Sequence, residues 1–201
     1  MKSFFAIFLA ALGLLACTIN ATAVPQAQGL SMGSVQISGD NIALVELEVT
    51  DDRFPGVTFT GTGESVFEEM KALKPEAFPN TNALDVAQAR SLHRRSTLNC
   101  EWGRDVFGFK ACNDGWNRLQ GLHHTLYCVN GGVNHCAIVS CSYNCAVYLC
   151  NLRNTRFCAL GSDIGADMDY IRNHCDSDSS KVPAGRMDFD EHWIGLSMTN
   201  C

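Results

Sequence analysis

The residues best suited to covalent chemistry in this 201-residue chain are its cysteines, and they are unevenly placed. Cys100, Cys112, Cys128, Cys136, Cys141, Cys145, Cys150, Cys158, Cys175 and Cys201 all lie after residue 95, whereas residues 24–95 contain none. An even number at that density reads as a disulfide scaffold made in an oxidising compartment. Five bridges would consume them, and the sequence does not fix the pairing. Each closed loop restricts the unfolded chain and stabilises the fold by about 2–4 kcal/mol. Metal binding is the competing use. Cys136, Cys141, Cys145 and Cys150 are close in sequence, and Cys141 and Cys145 could meet in one hairpin. Where thiols are oxidised, bridges win, so neither a metal nor a cofactor is expected.

The candidate bases are His123, His124, His135, His174 and His192. His135 and His192 open two strand-like stretches. With Glu101, Asp190 or Glu191 they could supply the acid–base pair of a small secreted ribonuclease. His123 and His124 follow a helical stretch and suit its C-terminal end. Ser162 lacks the G-x-S-x-G setting of a hydrolase nucleophile and reads as a helix cap. A third feature is aromatic. Trp102, Phe107 and Phe109 share one loop with Arg104 and Lys110. Aromatic side chains beside arginine make binding anchors, and they equally make a small core over a sheet. The same loop, residues 101–111, would serve a protease inhibitor if it protruded stiffly.

The elements that must position these groups fall into three parts. Residues 1–23 have Lys2, an apolar run from Phe4 to Ala16, and Ala21 and Ala23 at an A-x-A site. That is a signal peptide, too short to span a membrane. Residues 24–95 carry ten acids against six bases. IALVELEV and VTFTGTG alternate like strands, SVFEEMKALK is helical until Pro75, and LDVAQARSL is a second helical piece. The part ends at Arg94-Arg95, where a processing protease of the secretory pathway would cut. Residues 24–95 are then a propeptide, and residues 96–201 are the mature domain. The latter has eleven acids and eight bases, a balance that gives no support for a nucleic-acid surface.

Within residues 96–201, STLNC reads as a strand and CNDGWNRLQGL as a helix capped by Asn113 or Asp114. HTLYC is extended, and VNGGVN is a turn. HCAIVSC and CAVYLC are two strands around a tight loop, Ser142-Tyr143-Asn144. Leu160, Ile164, Met168, Ile171 and Cys175 form the buried stripe of a second helix. CDSDSSKVPAGRMDFDE reads as a polar linker, and HWIGLSMTNC as a closing strand. The order strand, helix, strand, strand, helix, strand predicts an α+β fold of the split β-α-β kind. It implies an antiparallel sheet with both helices on one face, ferredoxin-like in order and disulfide-rich. The other sheet face, with Tyr143, Tyr148 and Trp193, is either covered by the 101–111 loop or open.

The phrases VSCSYNCAVYLCN, FCALGSDIGADMDYIRNHC and GRMDFDEHWIGLSM, with the terminal Cys201, resemble a family of small cysteine-rich proteins secreted by filamentous fungi. The resemblance covers residues 98–201. It implies a propeptide ending in a basic pair, no known catalytic residues, and an effector role toward a host or a competing microbe. Asn99-Cys100, Asn130-Gly131 and Cys136-Ala137 are also similar to the pattern of KP4-type killer toxins, which implies a shared split β-α-β topology. Those toxins have Arg-Gly-Ser after the first cysteine, where this chain has Glu101-Trp102-Gly103, and they are basic. Channel blocking is therefore not implied. The expectation is a secreted binding protein freed by cleavage after Arg95. Its partner would be an extracellular protein, a glycan or a membrane surface, with Trp102, Arg104, Phe107 and Phe109 as the binding candidates. A ribonuclease and a protease inhibitor are the alternatives.

Overall fold

The computed structural model describes residues 33–78, 96–108, 110, 112–176 and 180–201. The stretch read as a signal peptide, the helical piece LDVAQARSL, the basic pair Arg94 and Arg95, and Phe109 lie outside the described residues.

Four strands and a helix come from the cysteine-free part. They are β1 (Ser34–Ile37), β2 (Asp40–Leu44), β3 (Leu47–Asp51), β4 (Thr58–Gly61) and α1 (Gly63–Leu73). A short 3₁₀ turn, Pro75–Ala77, follows. The cysteine-rich part supplies β5 (Thr97–Asn99), β6 (Val106–Phe107), α2 (Asn113–Gln120), β7 (Thr125–Val129), β8 (His135–Ser142), β9 (Cys145–Asn151) and β10 (Phe157–Leu160). It continues with α3 (Gly161–His174), β11 (Lys181–Val182), β12 (Gly185–Asp188) and β13 (His192–Met198).

The strands build a seven-stranded sheet in the order β1-β2-β8-β9-β13-β12-β5 and a four-stranded sheet in the order β10-β7-β3-β4. A two-stranded ribbon pairs β11 with β6. The α+β, disulfide-rich character expected from the sequence is present. The split β-α-β arrangement is not seen among the described strands. There the first strand would lie inside the sheet, whereas β5 sits at its edge beyond β12. The physical reason is β12, whose residues alternate inward and outward. Gly185 and Met187 are buried while Arg186 and Asp188 are half-buried, so the stretch read as a linker pairs with both β13 and β5.

The main core lies between one face of the large sheet and the layer of helices and small sheet. Ala137, Val139, Val147, Leu149, Ile194 and Leu196 meet Leu119, Ile164, Met168 and Ile171 from α2 and α3. They also meet Leu47, Val49, Phe59, Val66 and Met70 from the cysteine-free part. Nothing separates the two parts at this level. β3 lies between β4 and β7, with Val49 opposite Tyr127 and Glu48 opposite Cys128. β2 runs parallel to β8, with Ala43 opposite His135 and Leu44 opposite Cys136.

α1 begins at Gly63, two residues ahead of the stretch SVFEEMKALK read as helical. Thr62 accepts from the Ser65 amide while the Ser65 hydroxyl oxygen accepts from the Thr62 amide, a reciprocal cap. The helix ends at Lys74, ahead of Pro75, as read from the sequence. Its first residue is a glycine for a steric reason. A Cβ on Gly63 would lie 1.8 Å from the Val139 carbonyl oxygen, at an irregularity in the β8–β9 ladder.

Two expected caps are absent. α2 starts after Cys112 without a side-chain cap, and Asn113 Oδ1 instead accepts from Arg172 at 3.3 Å. α3 starts one residue before Ser162, because Gly161 must pass close to the Tyr127 ring and the Leu122 carbonyl.

The second face of the large sheet is closed by an aromatic cluster of Trp102, Tyr148 and Trp193 with Ile42 and Ile138. The expected cover contributes Trp102, from the 101–111 loop, and a second one that the sequence did not announce, the β1–β2 hairpin, contributes Ile42. The hairpin turn reaches across this face. Asp40 accepts from Trp102 Nε1 at 3.0 Å and pairs with Arg186 on β12, while Ser38 Oγ accepts from the Gly103 amide at 2.7 Å.

Candidate binding site

All ten described cysteines are bridged: Cys100–Cys175, Cys112–Cys145, Cys128–Cys158, Cys136–Cys150 and Cys141–Cys201. Cys141 and Cys145, close in one hairpin, take different partners. Their bridges tie both ends of the β8–β9 turn, one to the start of α2 and the other to the C-terminus. Among the described residues, no three His, Cys, Asp or Glu side chains are grouped to share a metal ion. No described helix is long and apolar enough to cross a membrane.

The acid–base trio named from the sequence is not assembled. His135 and His192 both lie opposite Asn151, one on each neighbouring strand, so their backbones are about 10 Å apart. Glu101 follows β5, which is four strands from β8. Asn99 at the end of β5 is level, through Arg186, with Gly195 rather than with His192. Glu191, next to His192 in sequence, is paired with Arg153.

The residues around His192 explain its character. Its ring is stacked between Phe157 at 4.2 Å and Phe189 at 4.4 Å. Burial, with the Arg153 charge nearby, pushes its pKa down to about 4, so the ring is neutral at ordinary pH. Asn151 between the histidines is fully buried and donates to the carbonyls of Val129, Asn130 and Thr155. This is a polar tie between β9 and two loops rather than a proton-transfer chain.

The three described aromatic-loop candidates part company. Trp102 is only 2% exposed and stacks edge-on with Trp193 and Tyr148, so its ring faces the core. Arg104 is exposed and lines a small depression with Ile37, Ser38 and Met198. Phe107 lines another. Residues 104–106 of the loop lie against the body of the fold. Val106 is buried, the Arg104 amide donates to Ser197 Oγ, and Asp105 accepts from the Ala184 amide.

Phe107 is 67% exposed and shares a shallow depression of about 570 Å³ with Tyr143, which is 73% exposed. Lys110, Asn113, Asp114 and Asn117 supply its polar lining. Tyr143 and Asn144 form a two-residue turn with φ of 49° and 65°. That conformation suits the primed hairpin turn, where asparagine and glycine are favoured. Asn144 fits it, whereas a tyrosine there carries strain of about 1 kcal/mol or more. The neighbouring bridges hold the turn in place, and the phenol points to solvent.

The sequence places Tyr143 in a tight loop and on the second sheet face with Tyr148 and Trp193, whereas it stands exposed at the hairpin tip. The available signal was an aromatic in a two-residue loop flanked by Cys141 and Cys145. A further buried acid, Asp167 on α3, is raised to about 7, chiefly by burial and then by Asp163.

No family model matches the chain, and no curated protein or solved structure matches it.

Proposed function

We propose that the chain is a secreted, cysteine-rich effector or toxin-like binding protein, processed after Arg95 and acting outside the cell on a host or competitor target. The observation that carries this reading is the Tyr143 turn. A strained, exposed aromatic stands at a doubly bridged hairpin tip, beside exposed Phe107 and a polar rim. Rigid aromatic anchors bind a partner with little loss of side-chain freedom. Exposed strain at a site held by its surroundings is a mark of selection for something other than stability.

The effector part of the reading draws on the sequence resemblance and on a bridge-dense α+β build suited to extracellular fluid. Kinship with the killer toxins would reside in the hairpin between Cys136 and Cys150 rather than in the order of the whole sheet. The signal-like residues 1–23 and the five disulfides support the secretion in this reading.

The test applies purified secreted protein to microbial cultures and to host tissue, alongside Tyr143→Gly and Phe107→Ala. Loss of the effect in either variant, with thermal melting unchanged or raised, is the expected result. Full effect in both variants would remove the site. RNA hydrolysis by the purified protein, abolished by His135→Ala, would replace the binding reading with an enzymatic one.

A further inference from the structure

Every disulfide among the described residues lies between Cys100 and Cys201, and residues 33–78 hold no cysteine, so their covalent tie to the bridged body is the chain through residues 79–95. We infer that cleavage after Arg95 does not release this segment: residues 33–78 stay seated as a second, noncovalent chain, and the working form is a two-chain protein. The inference rests on the processing proposed above and goes beyond it, because a propeptide is ordinarily discarded.

Three observations support retention. First, the segment supplies interior structure. β3 pairs with β7 along four residues, and β2 continues the large sheet beyond β8. Removing them would turn both β7 and β8 into open edges and uncover Tyr127, Val129 and Val139, each at most 1% exposed. Bare edges beside apolar faces are aggregation surfaces that native proteins avoid.

Second, α1 is fitted to β8 by contacts that leave no room. Gly63 lies against the Val139 backbone. The adjacent Glu64 carboxylate accepts from Arg118 at 2.5 Å, Ser140 Oγ at 2.9 Å and the Cys141 amide at 2.8 Å. Third, the charge pairs across the boundary have one polarity. Asp40–Arg186, Glu48–Arg156 and Glu64–Arg118 all put the carboxylate on the segment and the guanidinium on the bridged body. Residues 33–78 hold nine acids and three bases. The bridged body thus presents a groove for an acidic strand–helix segment, and this chain carries its own occupant.

The experiment uses the full secreted chain in two arms. In one, intact mass under denaturing, non-reducing conditions reports whether the natural product is cut after Arg95. In the other, a site for an added protease replaces Arg94-Arg95 and is cut after folding, so retention is decided even if natural processing fails. The expected result is co-elution of both pieces at the uncut volume in native buffer, and their separation in denaturant without reductant. A bridged 96–201 piece eluting alone and folded would overturn the inference. Glu64→Ala, made in the cuttable chain, sharpens it. The cut segment should then exchange with a labelled 33–78 peptide at least tenfold faster. An unchanged exchange rate would show that the Glu64 contacts do not hold it.

Discussion

Between residues 33 and 78, every tie to the rest of the molecule is a hydrogen bond, an ion pair or an apolar contact. Between residues 96 and 201 the same contacts are present, and five disulfides are added. Both regions feed one core, yet they should respond differently to perturbation. Substitutions at the seam should act at full strength, because no cross-link limits how far the unbridged segment can depart. Inside the bridged body the unfolded state is already restricted, so that part holds a reserve of stability that the unbridged segment lacks. Covalent stapling and membership of the fold are therefore separate properties here, and cysteine density alone does not mark the edge of a domain.

The largest predicted effect is at the closest approach. Gly63→Leu would drive a side chain into the Val139 carbonyl, and overpacking of that severity costs about 3 kcal/mol or more. Urea unfolding of the full chain should show it. A loss below about 1 kcal/mol would mean that α1 does not seat on β8.

Next come two groups inside the bridged body whose pH dependence runs in opposite directions. The His192 pKa is lowered to about 4 in the fold, below the ordinary histidine value, so the unfolded chain takes up the proton first. Its contribution is fully present above about pH 6.5 and is lost as pH falls toward 4, amounting to about 2–3 kcal/mol. Asp167, raised to about 7, has the reverse sign. Its contribution is present below the ordinary aspartate range and is lost as pH rises toward 7. His192→Phe should flatten the acid limb of a plot of melting temperature against pH. Asp167→Asn should raise the melting temperature at pH 8 and leave it nearly unchanged at pH 4.

Smaller again is Glu64→Ala, which leaves the Cys141 amide, Ser140 and Arg118 without their shared acceptor, a loss of about 2 kcal/mol by urea unfolding. The smallest change is a gain. Tyr143→Gly relieves the positive φ and should stabilise the protein by about 1 kcal/mol while removing the proposed anchor. A loss of stability there would mean that Tyr143 serves packing rather than binding.

Much of the local structure was legible in the sequence. The β-branched run HCAIVSC, the alternation in CAVYLC and the stripe Ile164, Met168, Ile171 fold as their periodicities say. The helix in SVFEEMKALK and the strands before it also appear. What was not legible is pairing across distance. Nothing in IALVELEV states that β3 will lie against β7, because strand partners are chosen by global packing rather than by local pattern. β12 was hidden because four residues beginning with glycine give too little alternation to read.

The candidate site was half visible. Phe107 was named from its loop, and Trp102 was named beside it, but a tryptophan's depth depends on what covers it. Here the cover is Asp40 and Ile42, from the far side of the basic pair. Tyr143 was grouped with Tyr148 and Trp193 on the second sheet face, and its exposed, strained place at the hairpin tip was not legible because strain shows only in the backbone angles.

The most direct test of a single shared body is amide hydrogen exchange on the intact chain, read separately for Leu47–Asp51 and for Thr125–Val129. If β3 and β7 belong to one cooperative sheet, their amides should be protected to the same degree and lose protection together in rising urea. Rapid exchange in Leu47–Asp51 while Thr125–Val129 stays protected would contradict the account. It would show the unbridged segment to be a loose attachment to a body that folds without it.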